Sequence, residues 1–162
     1  DVVELDAGLV VLGAGEEKYE RFLIGLGKKY PESIAVRIGF DEPFAHRIMA
    51  GADMLLIPSR YEPCGLTQIY ALKYGTVPIV RATGGLDDTI KQFDPDSGQG
   101  TGFKFVEYEA KAFFERIKEA VRLFEESAGW MKLVNNGMRS VFSWERSARE
   151  DNYVYDKARK SG

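Results

Sequence analysis

Short apolar runs rich in β-branched residues alternate along this chain with longer stretches of helical spacing, and that alternation leaves few architectures open. The first run, Gly8-Leu9-Val10-Val11-Leu12-Gly13, is too short for a helix and reads as a buried strand. Runs at 34–39, 54–58 and 77–80 repeat the pattern, and the segments between them are predicted helical over about 16–29, 43–51, 65–74 and 85–92. Strands separated by helices are joined by crossovers, which make a parallel sheet flanked by helices. An α/β fold is expected.

The C-terminal third is predicted to be structural. After the turn-rich stretch Asp94-Pro95-Asp96-Ser97-Gly98-Gln99-Gly100 comes a last short strand over 102–106, then a tail of helices. In that tail Phe113, Ile117, Val121 and Phe124 recur at helical spacing, widened by Phe114 and Ala120, as a core-facing stripe.

Composition narrows the class of function. With 162 residues, 44% of them hydrophobic, the chain suits one domain with an ordinary core. Its formal charge of −3 excludes a broad cationic surface for nucleic acid, so an anionic ligand has to be held locally. The single cysteine, Cys64, has no disulfide partner, and with one histidine the chain lacks the ligands of a structural zinc site, so no metal is expected. No apolar run is long enough to cross a bilayer, and the acidic start is unlike a signal peptide, which together suggest a reducing, cytoplasm-like setting. The first residues read as the last turn of a helix, so a fragment of a longer protein is expected.

In an open parallel sheet, ligands bind outside the carboxyl ends of the strands. Four loops occupy that position. Gly13-Ala14-Gly15-Glu16-Glu17-Lys18 begins like a dinucleotide fingerprint, but Lys18 replaces the third small residue, and Glu16 and Glu17 suit the helix dipole as capping charges better than they suit a pyrophosphate. A tight strand-to-helix turn is the expectation there. Gly39-Phe40-Asp41-Glu42 offers an aromatic that stacks on a base or packs under its loop, with Asp41 or Glu42 as a helix cap. Thr83-Gly84-Gly85-Leu86 is a flexible turn that either cradles a ligand or only turns the chain. His46, alone on a short helix, is expected in a packing or interface role.

The third loop, Pro58 to Gln68, is the most informative. It follows the most apolar strand and delivers Gly65-Leu66-Thr67 to a helix start, where free N–H groups and the helix dipole suit a phosphate. Glu62 stands just before that anion site. Either it accepts hydrogen bonds from sugar hydroxyls or it bonds the amides of its own loop. Cys64 has no adjacent base or second thiol, and a small buried packing residue is expected.

Pro58-Ser59-Arg60-Tyr61-Glu62-Pro63-Cys64-Gly65-Leu66-Thr67-Gln68, Lys73-Tyr74-Gly75-Thr76-Val77-Pro78, Arg81-Ala82-Thr83-Gly84-Gly85-Leu86 and Ala45-His46-Arg47-Ile48-Met49-Ala50-Gly51-Ala52-Asp53 closely resemble the bacterial glycogen synthase and plant starch synthase family. The resemblance implies the Rossmann-like donor-binding half of a two-domain GT-B retaining glucosyltransferase. Such an enzyme moves glucose from ADP-glucose to the non-reducing end of an α-1,4-glucan without a metal. It also implies that residues 1–162 form that single domain, truncated at its N-terminus, and that the partner acceptor domain and the diphosphate-binding Arg and Lys lie upstream.

By the same resemblance Glu62 is the active-site glutamate, Gly65, Leu66 and Thr67 hold the distal phosphate, Gly39 and Phe40 line the adenine pocket, and Cys64 lies close to the sugar. Tyr70 stands where the wider class has a second glutamate, a substitution shared by the glycogen and starch synthase branch. The isolated chain is expected to bind nucleotide weakly and not to turn over. The alternatives are a UDP-sugar transferase of the same fold, a non-catalytic glucan- or partner-binding module and, resting only on Gly13-Ala14-Gly15, an NAD-binding oxidoreductase domain. A plastid is the alternative compartment.

Overall fold

The computed structural model describes residues 2–142 and Arg159. A 3-10 turn, Val2–Leu5, opens it and bears out the helical character expected of the first residues. The order is then β1 (Leu9–Gly13), α1 (Glu17–Lys29), β2 (Ile34–Ile38), α2 (Glu42–Gly51), β3 (Met54–Ile57), α3 (Thr67–Tyr74), β4 (Val77–Arg81), α4 (Gly84–Thr89), β5 (Phe103–Phe105), α5 (Ala110–Glu125) and α6 (Ser127–Arg139). No helix among the described residues is long and apolar enough to cross a membrane.

Among the described residues all strand pairs are parallel, as the alternation requires, but hydrogen bonding divides them into two sheets. One joins β1 to β2 with Leu9 opposite Ile34, and the other runs β3-β4-β5 with Met54 opposite Val77 and Ile79 opposite Phe103. β4 is paired on both edges and is the deepest strand. Its alternating side chains serve two cores. Val77 and Ile79 pack with Ile117, Ala120, Leu123, Trp130 and Leu133 of α5 and α6, whereas Val80 packs with Leu72, Leu86 and Ile90 on the side of α3 and α4.

Three expectations are corrected. β1 is not a buried strand: it is paired on one edge only, and Val10 is exposed. The helix expected over 85–92 ends at Thr89, because Ile90 turns into the core and Gln92 bridges Gly102 in parallel. On α5 the apolar stripe turns toward Leu123, which is buried, while Phe124 is exposed and meets the edge of Trp130 at 5.2 Å between ring centres.

α3 stops where the sequence allows it to. Gly75 takes a left-handed φ of 81° and returns its N–H to the carbonyls of Ala71 and Leu72, a conformation that a β-carbon disfavours. Thr76 is buried beside it, with its hydroxyl donating to the Met49 carbonyl of α2. This stop lets the chain turn back into β4 beside β3.

Candidate functional site

The site is built where β3 ends and α3 begins. Gly65 has φ +66°, and Leu66 follows at φ −109° and ψ −22°, so a left-handed residue precedes a right-handed one at the helix start. Consecutive N–H groups in such a turn converge on one side and form an anion-binding concavity. Leu66, the N-cap position, has no side-chain oxygen to occupy them, and the N–H groups of Gly65, Leu66 and Thr67 have no acceptor among the described residues. Leu66 and Thr67 are exposed. Together with the positive end of the α3 dipole, this is a preformed cradle for negative charge.

Glu62 lies against this cradle. Its γ-carbon would be 3.1 Å from a β-carbon added to Gly65, and its carboxylate is half-buried with no hydrogen-bond or ion-pair partner among the described residues. It therefore does not bond the amides of its own loop, and the sugar-binding alternative is the one its geometry leaves open.

Long-range contacts hold the loop. Arg81, at the end of β4, donates from Nε to the Ser59 carbonyl at 2.9 Å and from Nη2 to the Arg60 carbonyl, with its guanidinium 5.5 Å from the ring centre of Tyr108. The Gly85 N–H donates to the Glu62 carbonyl at 3.0 Å. A β-carbon on Gly84 would overlap that carbonyl, and one on Gly85 would overlap the Cys64 carbonyl, so the paired glycines of the fourth loop serve close approach of two backbones. Gln68, inside the first turn of α3, donates from Nε2 to Gly65 and Cys64 carbonyls and to Thr89 Oγ1.

Cys64 is exposed, which corrects the expected buried packing role: Gly85 presses on its backbone and leaves the thiol outside. Gly39 has φ +133° and ends β2, and Phe40 beyond it is 91% exposed, so its ring does not pack under its own loop. Asp41 caps α2, accepting the Phe44 N–H at 2.9 Å and pairing with Arg37 at 2.8 Å. No hydrogen bond, ion pair or ring contact joins Gly39 or Phe40 to the Glu62 loop among the described residues.

In the glycine turn after β1 the Gly15 N–H already has an acceptor. Glu20, not Glu16 or Glu17, reaches back to accept the Gly15 N–H at 2.9 Å, while Glu16 and Glu17 pair with Lys18 and Arg21. His46 sits between α2 and α3, with Nδ1 3.2 Å from the Tyr74 hydroxyl and its ring 5.3 Å from that of Tyr70. That is the interface role expected of it. Among the described residues no three His, Cys, Asp or Glu side chains gather in a way that could hold a metal ion.

Gln68, Thr89 and Arg81 were not legible as site residues. One signal was present for Gln68. It shares the buried stripe of α3 with Ala71 and Leu72, three and four residues on, and a polar side chain on a core-facing stripe requires bonding partners.

A family model described as "Glycosyl transferases group 1" matches residues 4–132. The chain is 54% identical over 155 residues to a glycogen synthase of Koribacter versatilis, covering 96% of this chain and 32% of that protein. It is 45% identical to a glycogen synthase of Kosmotoga olearia, covering 99% of this chain and 34% of that one. Among solved structures, the catalytic domain of starch synthase IV from Arabidopsis thaliana, bound to ADP and acarbose, superposes with a TM-score of 0.83 at 31% identity, over 96% of this chain and 33% of that one. The chain thus spans about a third of the length of these relatives.

Proposed function

The chain belongs to the group 1 glycosyl transferases, and on that premise we propose that it is the donor-binding part of a retaining glucosyltransferase that uses ADP-glucose to extend an α-1,4-glucan. One observation carries the reading: the unpartnered Glu62 carboxylate lies against the open N–H groups of Gly65, Leu66 and Thr67 at the start of α3. A nucleoside diphosphate sugar has the matching pair of features, an anionic end and a hydroxyl-rich end.

The cradle takes the distal phosphate, and Glu62 holds the glucose and stabilises positive charge developing at its anomeric carbon. Phe40 stacks on adenine from the end of β2, and the exposed Cys64 lies beside the sugar. No metal is assigned a step. The similarity to an ADP-bound starch synthase supports adenine as the base. We assign the enzyme to the cytoplasm.

Residues 1–162 are read as one Rossmann-like domain. β1 and β3 each keep an unpaired edge, and one parallel strand bridging them would make the six-strand order of a doubly wound sheet. The acceptor glucan and the cationic groups for the diphosphate are supplied by other parts of the enzyme.

Titration of the chain with ADP, UDP and NAD, followed by amide shifts, tests the reading. Selective shifts at Thr67 and Phe40 with ADP are expected. A preference for NAD would overturn it, and a preference for UDP would replace the donor. In the full-length protein, normal glucan elongation by Glu62→Gln would remove the catalytic assignment.

A further inference from the structure

Gln68 is fully buried at 0% exposure, and its Oε1 has no hydrogen-bond partner among the described residues. An orphaned amide oxygen costs stability, so some other use of the side chain has to account for it. The use is at the other end of the amide. Nε2 lies 2.9 Å from the Gly65 carbonyl oxygen, 3.1 Å from Thr89 Oγ1 and 3.3 Å from the Cys64 carbonyl oxygen. Exchanging the two ends of the amide would set oxygen against two carbonyls, so the orientation is chemically required. Thr89 Oγ1 spends its own hydrogen on the Gly85 carbonyl and has only lone pairs left for Gln68.

A trans peptide points its N–H away from its C=O. The peptide bonds here are trans. Drawing the Cys64 carbonyl inward therefore turns the Gly65 N–H outward, and drawing the Gly65 carbonyl inward does the same for the Leu66 N–H. We propose that Gln68 is a positioning residue whose buried amide nitrogen, by holding these two carbonyls, aims the Gly65 and Leu66 N–H groups at the distal phosphate of a nucleoside diphosphate donor. The inference rests on the reading of the α3 start as the donor's diphosphate site. Thr89 completes it by fixing Nε2 from α4, the helix whose Gly85 also touches the Glu62 loop.

The test compares ADP with AMP, which lacks the distal phosphate, by calorimetry on the full-length protein. Gln68→Met is the main variant, because it keeps the length of the side chain and removes the orphaned oxygen together with the donor, so the loss of the Nε2 hydrogen bonds is offset in part by the loss of an unsatisfied buried atom. Gln68→Glu, which keeps the shape and loses the donor, is the second. The expected result is wild-type protein that prefers ADP to AMP at least tenfold, and a Gln68→Met protein that stays folded, with AMP affinity within about twofold and most of the ADP preference lost. Variants with the wild-type ADP-to-AMP ratio overturn the positioning role and leave the donor site standing. Equal losses of ADP and AMP affinity, with a lowered midpoint, also overturn it, since a merely structural residue would give that result. Wild-type protein with no preference for ADP removes the donor-site reading and this inference with it.

Discussion

The N–H of Gly85 donates to the carbonyl of Glu62 at 3.0 Å, so the first turn of α4 is tied to the loop that carries the unpaired carboxylate. The tie is possible because Gly85 has no side chain. Its α-carbon stands where any β-carbon would overlap the Cys64 carbonyl, and Gly84 is in the same position against Glu62.

Gly85→Ala is therefore expected to push the Glu62 loop away from α4, at a cost of about 1–3 kcal/mol, in the range for overpacking a tight site. Urea denaturation measures the stability loss, and weakened ADP binding should accompany it. An unchanged midpoint would show that the two backbones separate without cost.

Glu62→Ala in the full-length protein should reduce glucan elongation by about 10²-fold or more, the scale on which removing one group that stabilises transition-state charge acts. Because Glu62 has no hydrogen-bond or ion-pair partner among the described residues, the thermal midpoint should change little. Rates and melting curves from one preparation check both halves of the expectation.

Phe40→Ala should separate binding from stability. The ring is 91% exposed, so its removal should change folding stability by no more than about 0.5 kcal/mol. Base–aromatic stacking contributes about 1–3 kcal/mol, which corresponds to a loss of ADP affinity of about fivefold or more. Calorimetry that finds wild-type affinity would remove Phe40 from the base site.

Leu133 is fully buried in the core that covers β4. Leu133→Ala should cost about 2–5 kcal/mol, the range for a cavity left in a packed interior. Denaturation of the variant reads this directly.

Asp94 tests the turn before β5. The Ser97 hydroxyl and, to a lesser degree, the Asp96 N–H hold its carboxyl below the usual carboxylate range. A folded-state value lower than the unfolded one means that the ionised group favours the folded turn above the ordinary carboxylate range. That contribution is lost as pH falls through the lowered value. The protection of the Asp96 amide, measured as its exchange relative to the intrinsic rate at each pH, should fall in acid, and Asp94→Asn should flatten the dependence.

Much of the fold was readable because its determinants are local. β-Branched runs between glycines, helical spacing and the Gly75 stop each act within a few residues, and the strands begin or end within about two residues of their expected limits. The departures have long-range causes. Helix α4 stops at Thr89 because Ile90 is drawn into a core with Leu72 and Val80, and Val10 is exposed because β1 is paired on one edge. Neither cause is visible in the spacing of neighbouring residues.

The candidate site divides in the same way. Sequence by itself determined that a glycine-led helix start follows an apolar strand, that Glu62 stands before it, and that Asp41 or Glu42 caps α2, because chain neighbours supply all the atoms involved. Only the tertiary structure decided that Glu62 has no partner among the described residues, that Cys64 faces outward, and that Gln68 is buried beneath Gly65. Those outcomes depend on Arg81, Gly85 and Thr89, residues about twenty or more positions along the chain from the loop they hold. A side chain's exposure and hydrogen bonds are set by whatever the folded backbone brings against it, and that is a property of packing across the sheet, not of sequence order.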